Sequence, residues 1–173
     1  MDRARRAVIG KARKLRLTEI INGLELPQTG LHKIRIVYGE EVISTEIKPY
    51  QIRPVRSLKV MPADKVDYGH KFSDRSAINQ LFAERGEHDD IIMTKHGYVM
   101  DTSYANLALF DGRHWYTPAY PMLRGVRREH LLKNGTIRTA ILRDRDLGNF
   151  KKARLLNAMI EWGEGEDIEV ITV

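Results

Sequence analysis

Cysteine is missing from this 173-residue chain, which excludes disulfides, thiolate metal ligands and cysteine nucleophiles. Long apolar runs are missing too, and no window approaches the roughly 18 residues that a membrane-spanning helix needs. The start, MDRARRAVIGKARKLRLTEII, has basic residues but no apolar h-region, so it does not read as a secretory signal. A cytoplasmic protein is the expectation. GxGxxG, the P-loop, GxSxG and HExxH are all absent, which removes the common nucleotide, hydrolase and zinc signatures. The histidines stand singly at 32, 70, 88, 96, 114 and 130. None has a metal-ligand spacing, so they read as surface or loop residues and no metal is expected.

The chain does carry an ordinary share of hydrophobic residues, 42%, beside 30% charged ones, enough apolar material for a packed soluble domain and too much for a disordered one. Its net charge is +6, with Arg3, Arg5, Arg6, Lys11, Arg13, Lys14 and Arg16 clustered at the start. Such a cluster could neutralise phosphates, but no aromatics interleave it and no nucleic-acid-binding motif accompanies it. Val8, Ile9, Ala12, Leu15 and Ile20 can share one helical stripe, leaving the charges on a solvated face. No nucleic-acid partner and no membrane partner is expected.

The spacing predicts a helix over 3–21, closed by Asn22-Gly23. HKIRIVY (32–38) and EVISTEIKPY (41–50) form a hairpin around Gly39-Glu40, and VRSLKVM (55–61) reads as a third strand of an antiparallel meander. Residues 73–85 are helical, with Ser73 or Asp74 as cap, Ala77, Ile78, Leu81 and Phe82 inward, and Gly86 as stop. Strands are expected at 91–95, 98–103, 106–110 and 113–117, with turns at His96-Gly97 and Asp111-Gly112. A short helix spans 126–133, and ARLLNAMI (153–160) and DIEVITV (167–173) are late strands. The class is α+β with mostly antiparallel pairing.

Three features carry chemistry. Lys71 stands in GHKFSDR just ahead of a helix. Asp101, Ser103 and Asn106 interrupt apolar strand sequence in MDTSYANLALF, where unpaired buried polar groups would cost about 1–3 kcal/mol each. Gly125 opens a helix in LRGVRREHLL, and the free amides of a helix start attract anions. A lysine, a carboxylate and a phosphate cradle together describe pyridoxal phosphate.

From about Ile34 to Glu161 the sequence resembles the class IV, fold-type IV pyridoxal-phosphate enzymes, among them branched-chain and D-amino-acid aminotransferases and aminodeoxychorismate lyase. The resemblance rests on KFSDR (71–75), DTSYANL (101–107), DG to TP (111–118), LRGVRR (123–128) and Asn157-Ala-Met, and leans toward the lyase branch. It implies that Lys71 is the lysine that bonds the cofactor and shuttles the substrate's Cα proton. Asp101 matches the carboxylate, usually Glu in the family, that pairs with the ring nitrogen. Val126 and Arg127 fall where backbone amides hold the phosphate, after Gly125. Asn157 falls near a further phosphate contact and Arg75 near the lysine. Ser103 and Asn106 shape the turn beside Asp101 and complete the cofactor site. Arg35 and Tyr38 lie on strands that could face a substrate carboxylate.

The expected architecture is therefore a fold-type IV, D-amino-acid-aminotransferase-like chain with a small lobe at 1–62 and a cofactor-binding lobe at 63–173. The family normally opens with a Glu-Thr-Ile-Arg type strand and a His-x-x-Arg run whose arginine grips the phosphate. Here Met1 comes just before the basic helix, so the expected small lobe is truncated, without that strand and arginine. The implied activity is transamination of an amino-acid-like substrate, or aminodeoxychorismate-type elimination of pyruvate, by a homodimer. A non-catalytic structural or binding protein is the alternative, and the DNA upstream of Met1 would discriminate the two.

Overall fold

A computed structural model describes residues 2–10, 14–165 and 167–169. The chain divides into two compact units, residues 1–51 and 52–173.

In the first unit, α1 (Asp2–Ile9) and α2 (Leu17–Asn22) precede a two-stranded antiparallel sheet, β1 (His32–Tyr38) and β2 (Val42–Pro49). The continuous helix expected over 3–21 is not formed. Gly10 takes φ +83°, which ends α1 in the left-handed region that favours glycine; Ala12, on the expected stripe, lies outside the described residues. Arg5 is not on a solvated face either. It is buried, and its guanidinium donates to the carbonyls of Gly39 (3.1 Å) and Glu40, tying α1 to the hairpin turn. Val8, expected inward, is exposed. The hairpin itself pairs from His32 opposite Pro49 to Tyr38 opposite Val42, with a bulge at Val37/Tyr38.

The second unit begins before β3 (Leu58–Pro62), so the division expected at residue 62 falls inside it. β3 pairs in parallel with β4 (Asp90–Lys95), with α3 (Ser76–Ala83) between them in sequence. This is a βαβ connection, not the third strand of a meander, because the chain must cross over before it can pair in parallel. β4 is the middle strand and is buried from Asp90 to Thr94, which explains its unbroken apolar run. β5 (Tyr98–Thr102) follows after the two-residue turn at His96 (φ 51°) and Gly97 (φ 75°), both left-handed as tight hairpins require.

A second sheet runs in the order β8 (Arg138–Ala140), β7 (Trp115–Pro118), β6 (Asn106–Phe110), β9 (Lys152–Leu156). The helix α4 occupies Val126–Lys133, as expected. β8 and a 3-10 helix over Asp144–Asn149 carry no clear sequence pattern. β9 stops at Leu156, and the last expected strand survives as a bridge between Ala153 and Ile168; its end, 170–173, lies outside the described residues. The two sheets share a core in which Leu58, Ile92 and Val99 of the first meet Leu107, Leu109 and Ala153 of the second.

β5 and β6 do not pair with each other. The stretch 103–105 carries the chain from one sheet to the other, stitched by Thr102, whose N–H and hydroxyl both donate to the Ala105 carbonyl at 2.9 and 3.1 Å. The polar residues of DTSYAN therefore sit at a sheet switch, where ladder partners end and side chains must take over.

Candidate active site

Along one side of that switch lies an open cleft. Its walls come from the loop before α3 and Ile78 of α3, Met93 of β4, the 101–106 switch, the turn leading into α4, and the end of β9. Lys71, Arg75, Asp101, Ser103, Asn106, Gly125, Val126 and Asn157 all line it. These are the expected cofactor residues except Arg127. That arginine's guanidinium instead makes a two-pronged ion pair with Glu161 (2.7 Å for one bond), while its backbone opens α4. Arg35 and Tyr38 lie on β1 of the first unit, where Arg35 stands opposite Glu46. Their role toward a substrate stays an expectation.

Asp101, Asn106 and the Ser103 peptide are each held by hydrogen bonds. Asp101 is buried; its Oδ1 accepts from Asn106 Nδ2 (2.6 Å) and its Oδ2 from the Leu123 N–H (2.9 Å). Burial pushes this carboxyl up to about 6, against the pull of the Leu123 and Asn106 hydrogen bonds and of the nearby Arg128 charge. Arg128, itself buried, donates to Thr117 Oγ1 (3.2 Å) and the Pro118 carbonyl (2.7 Å), and its own pKa is lowered chiefly by that burial. The Ser103 peptide is gripped on both sides: its N–H donates to Asp90 Oδ1 (3.3 Å) and its carbonyl accepts from Arg75. Arg75 also lies over the Tyr68 ring, 5.7 Å from its centroid. Asn157 closes β9 and caps the following turn through the Met159 N–H (2.8 Å).

Gly125 is extended (φ −74°, ψ 145°) and needs no left-handed freedom. What it requires is space: a Cβ there would lie 2.3 Å from Asn106 Oδ1. The backbone thus approaches the switch as only glycine allows, and α4 starts immediately beyond. The first amides of an α-helix have no intrahelical acceptor, and the Glu129 N–H to Gly125 carbonyl bond (3.0 Å) marks where the ladder begins.

Several contributors had no role in the sequence reading. Asp90 and Arg53 form an ion pair (2.6 Å) behind Ser103, and Arg53 is packed between the rings of Phe82 and Tyr104 at about 5 Å. The sequence signal was Asp89-Asp90 set directly before the buried run IIMT. Leu123, whose amide and carbonyl both serve the site, was visible only as part of LRGVRR. Among the described residues no cluster of His, Cys, Asp or Glu could hold a metal, and no helix is long and apolar enough to cross a membrane.

A lysine, a buried carboxylate and a glycine-led helix start thus line one cleft. The family model for amino-transferase class IV matches residues 41–165. An uncharacterized protein of Haemophilus influenzae is 36% identical over 161 residues, covering 91% of this chain and 85% of its own. The crystal structure of a provisionally named 4-amino-4-deoxychorismate lyase from Haemophilus somnus is 33% identical with TM-score 0.79, over 86% of this chain and 78% of that one. The fold is shared with a hypothetical aminotransferase from Mycobacterium tuberculosis in its PLP-bound form, at 18% identity and TM-score 0.63, over 80% of this chain and 60% of that one. The chain belongs to the class IV aminotransferase family and has the fold-type IV architecture of its pyridoxal-phosphate enzymes.

Proposed function

We propose that this chain is a pyridoxal-phosphate-dependent enzyme acting on an amino-acid-like substrate, by transamination or by the aminodeoxychorismate-type reaction that releases pyruvate. The observation that carries the reading is that one cleft gathers Lys71, Asp101 and the Gly125 start of α4. The lyase branch is favoured by the 33% identity to the Haemophilus somnus protein, whose name carries that activity.

The donor set fits the cofactor. Asp101 already accepts two hydrogen bonds, but each carboxylate oxygen has a second lone pair, so it can also accept a ring N–H. A cationic N–H placed there would favour the charged carboxylate and offset the burial that now raises its pKa. The Val126 and Arg127 amides at the start of α4 suit phosphate oxygens, and Asn157 lines the same cleft. When bound, the cofactor supplies an electron sink that acidifies the substrate's Cα–H. Lys71 Nζ is the amine that would hold the cofactor's aldehyde carbon and, when freed from it, would carry the substrate's Cα proton. Arg75 keeps the Ser103 peptide in place, and with it the floor of the cleft. Tyr68, Met93, Met122 and Leu156 add apolar surface to the same cleft. The same reading implies a homodimer, which sedimentation would show.

The test is product formation by cofactor-loaded protein. Offered amino acids with a 2-oxo acid acceptor, or 4-amino-4-deoxychorismate alone, the wild type should yield a new oxo acid or pyruvate, and Lys71→Ala should yield neither. Loaded wild type that forms no product from either would overturn the enzymatic reading in favour of a binding protein.

A further inference from the structure

Asn106 lies buried between the Asp101 carboxylate and the Leu123–Gly125 turn. Its Nδ2 donates to Asp101 Oδ1 (2.6 Å) and to the Leu123 carbonyl (2.7 Å), and its Oδ1 accepts from the Gly125 N–H (3.2 Å). The orientation of this amide is forced. Flipped, its oxygen would face two acceptors and its NH₂ would face the Gly125 N–H, so all three contacts would be repulsive. The Leu123 N–H returns to Asp101 Oδ2 (2.9 Å), which closes a ring of hydrogen bonds through Asp101, Asn106 and Leu123. Gly125 then packs so closely on Asn106 that a Cβ would collide with Oδ1.

We propose that Asn106 is the positioning residue of this site: one side-chain amide holds the Asp101 carboxylate and the Leu123–Gly125 turn in a single rigid register. This rests on the pyridoxal-phosphate reading and deepens it. Asn106 spends both ends of its amide on the protein, so its part is to fix the spacing between the group that meets the ring nitrogen and the amides that meet the phosphate. A rigid cofactor touching both ends needs that spacing set beforehand. The amide also keeps a donor on a carboxylate whose other charged neighbours are Arg128 of α4 and, around the cleft, Lys71 and Arg75.

The experiment has two readouts. The first uses the chain without cofactor and follows the Asp101 carboxyl by ¹³C NMR against pH. Asn106→Ala should move its midpoint up by roughly one to two pH units, the effect of one hydrogen bond to a charged group. Asn106→Asp, nearly the same shape, should move it further, because two carboxyls then share one proton. The second is pyridoxal phosphate affinity, which should fall roughly tenfold or more in both variants by the same reasoning. If Asn106→Ala does not fold, Asn106→Asp carries both measurements. A folded variant whose Asp101 titrates as in wild type overturns the proposal. Wild type that binds no cofactor would overturn the enzyme reading instead, and the NMR titration would still decide what Asn106 does to Asp101.

Discussion

Replacing Asp101 by Asn should change how the stability of the second unit depends on pH, with a sign set by burial. The Asp101 carboxyl is pushed up to about 6, while its ordinary value is 3.8. Between those values the folded chain keeps a proton that the unfolded chain has released, so stability falls as pH rises. The gap of about 2 pH units, at about 1.4 kcal/mol each, amounts to about 3 kcal/mol. That contribution is fully present below about pH 4 and is lost as pH rises through about 6. In Asp101→Asn it is absent at every pH, and the other titrating groups cancel in the comparison. The unfolding free energy of wild type minus that of the variant should therefore drop by about 2–3 kcal/mol from about pH 4 to about pH 7. Both tryptophans, Trp115 and Trp162, lie in the second unit, so urea unfolding followed by their fluorescence reads the right transition. A difference that stays flat with pH, or rises, would refute the reasoning.

Other expectations concern the scaffold of the site. Gly125→Ala drives a Cβ to 2.3 Å from an Asn106 oxygen held by hydrogen bonds, and should cost about 1–3 kcal/mol in urea unfolding; unchanged stability would mean that the turn moves freely. Arg53→Ala leaves the fully buried Asp90 without its ion-pair partner, a guanidinium that is itself partly exposed, and should cost about 1–3 kcal/mol, seen as a lower denaturation midpoint. A midpoint within error of wild type would show that water replaces the guanidinium.

Much of the fold could be read because hydrophobic period and turn chemistry agree in it. The β1–β2 hairpin, β4, the His96-Gly97 turn and α4 are all of this kind. What failed was non-local. The parallel pairing of β3 with β4 depends on contacts across the α3 crossover, which leave no mark on the sequence of either strand. The strands expected at 98–103 and 106–110 are neighbours in sequence, yet they enter different sheets. At the basic start, a glycine outweighed helical periodicity, and Arg5 was buried by two carbonyl acceptors that no local pattern announces. The cleft residues were legible through family motifs, and most of them line one cavity. Asp90 and Arg53 escaped because they support the site without entering it, and Asn106's place between Asp101 and Gly125 could be seen only in three dimensions.

The central claim is that Lys71 bonds the cofactor, and the most direct measurement is to trap that bond. Protein incubated with pyridoxal phosphate, reduced with borohydride and digested should yield one modified peptide in high occupancy, the one carrying Lys71. Lys71→Ala should carry no such label on that peptide. Labelling spread over surface lysines, or an equal yield in the variant, would contradict the account.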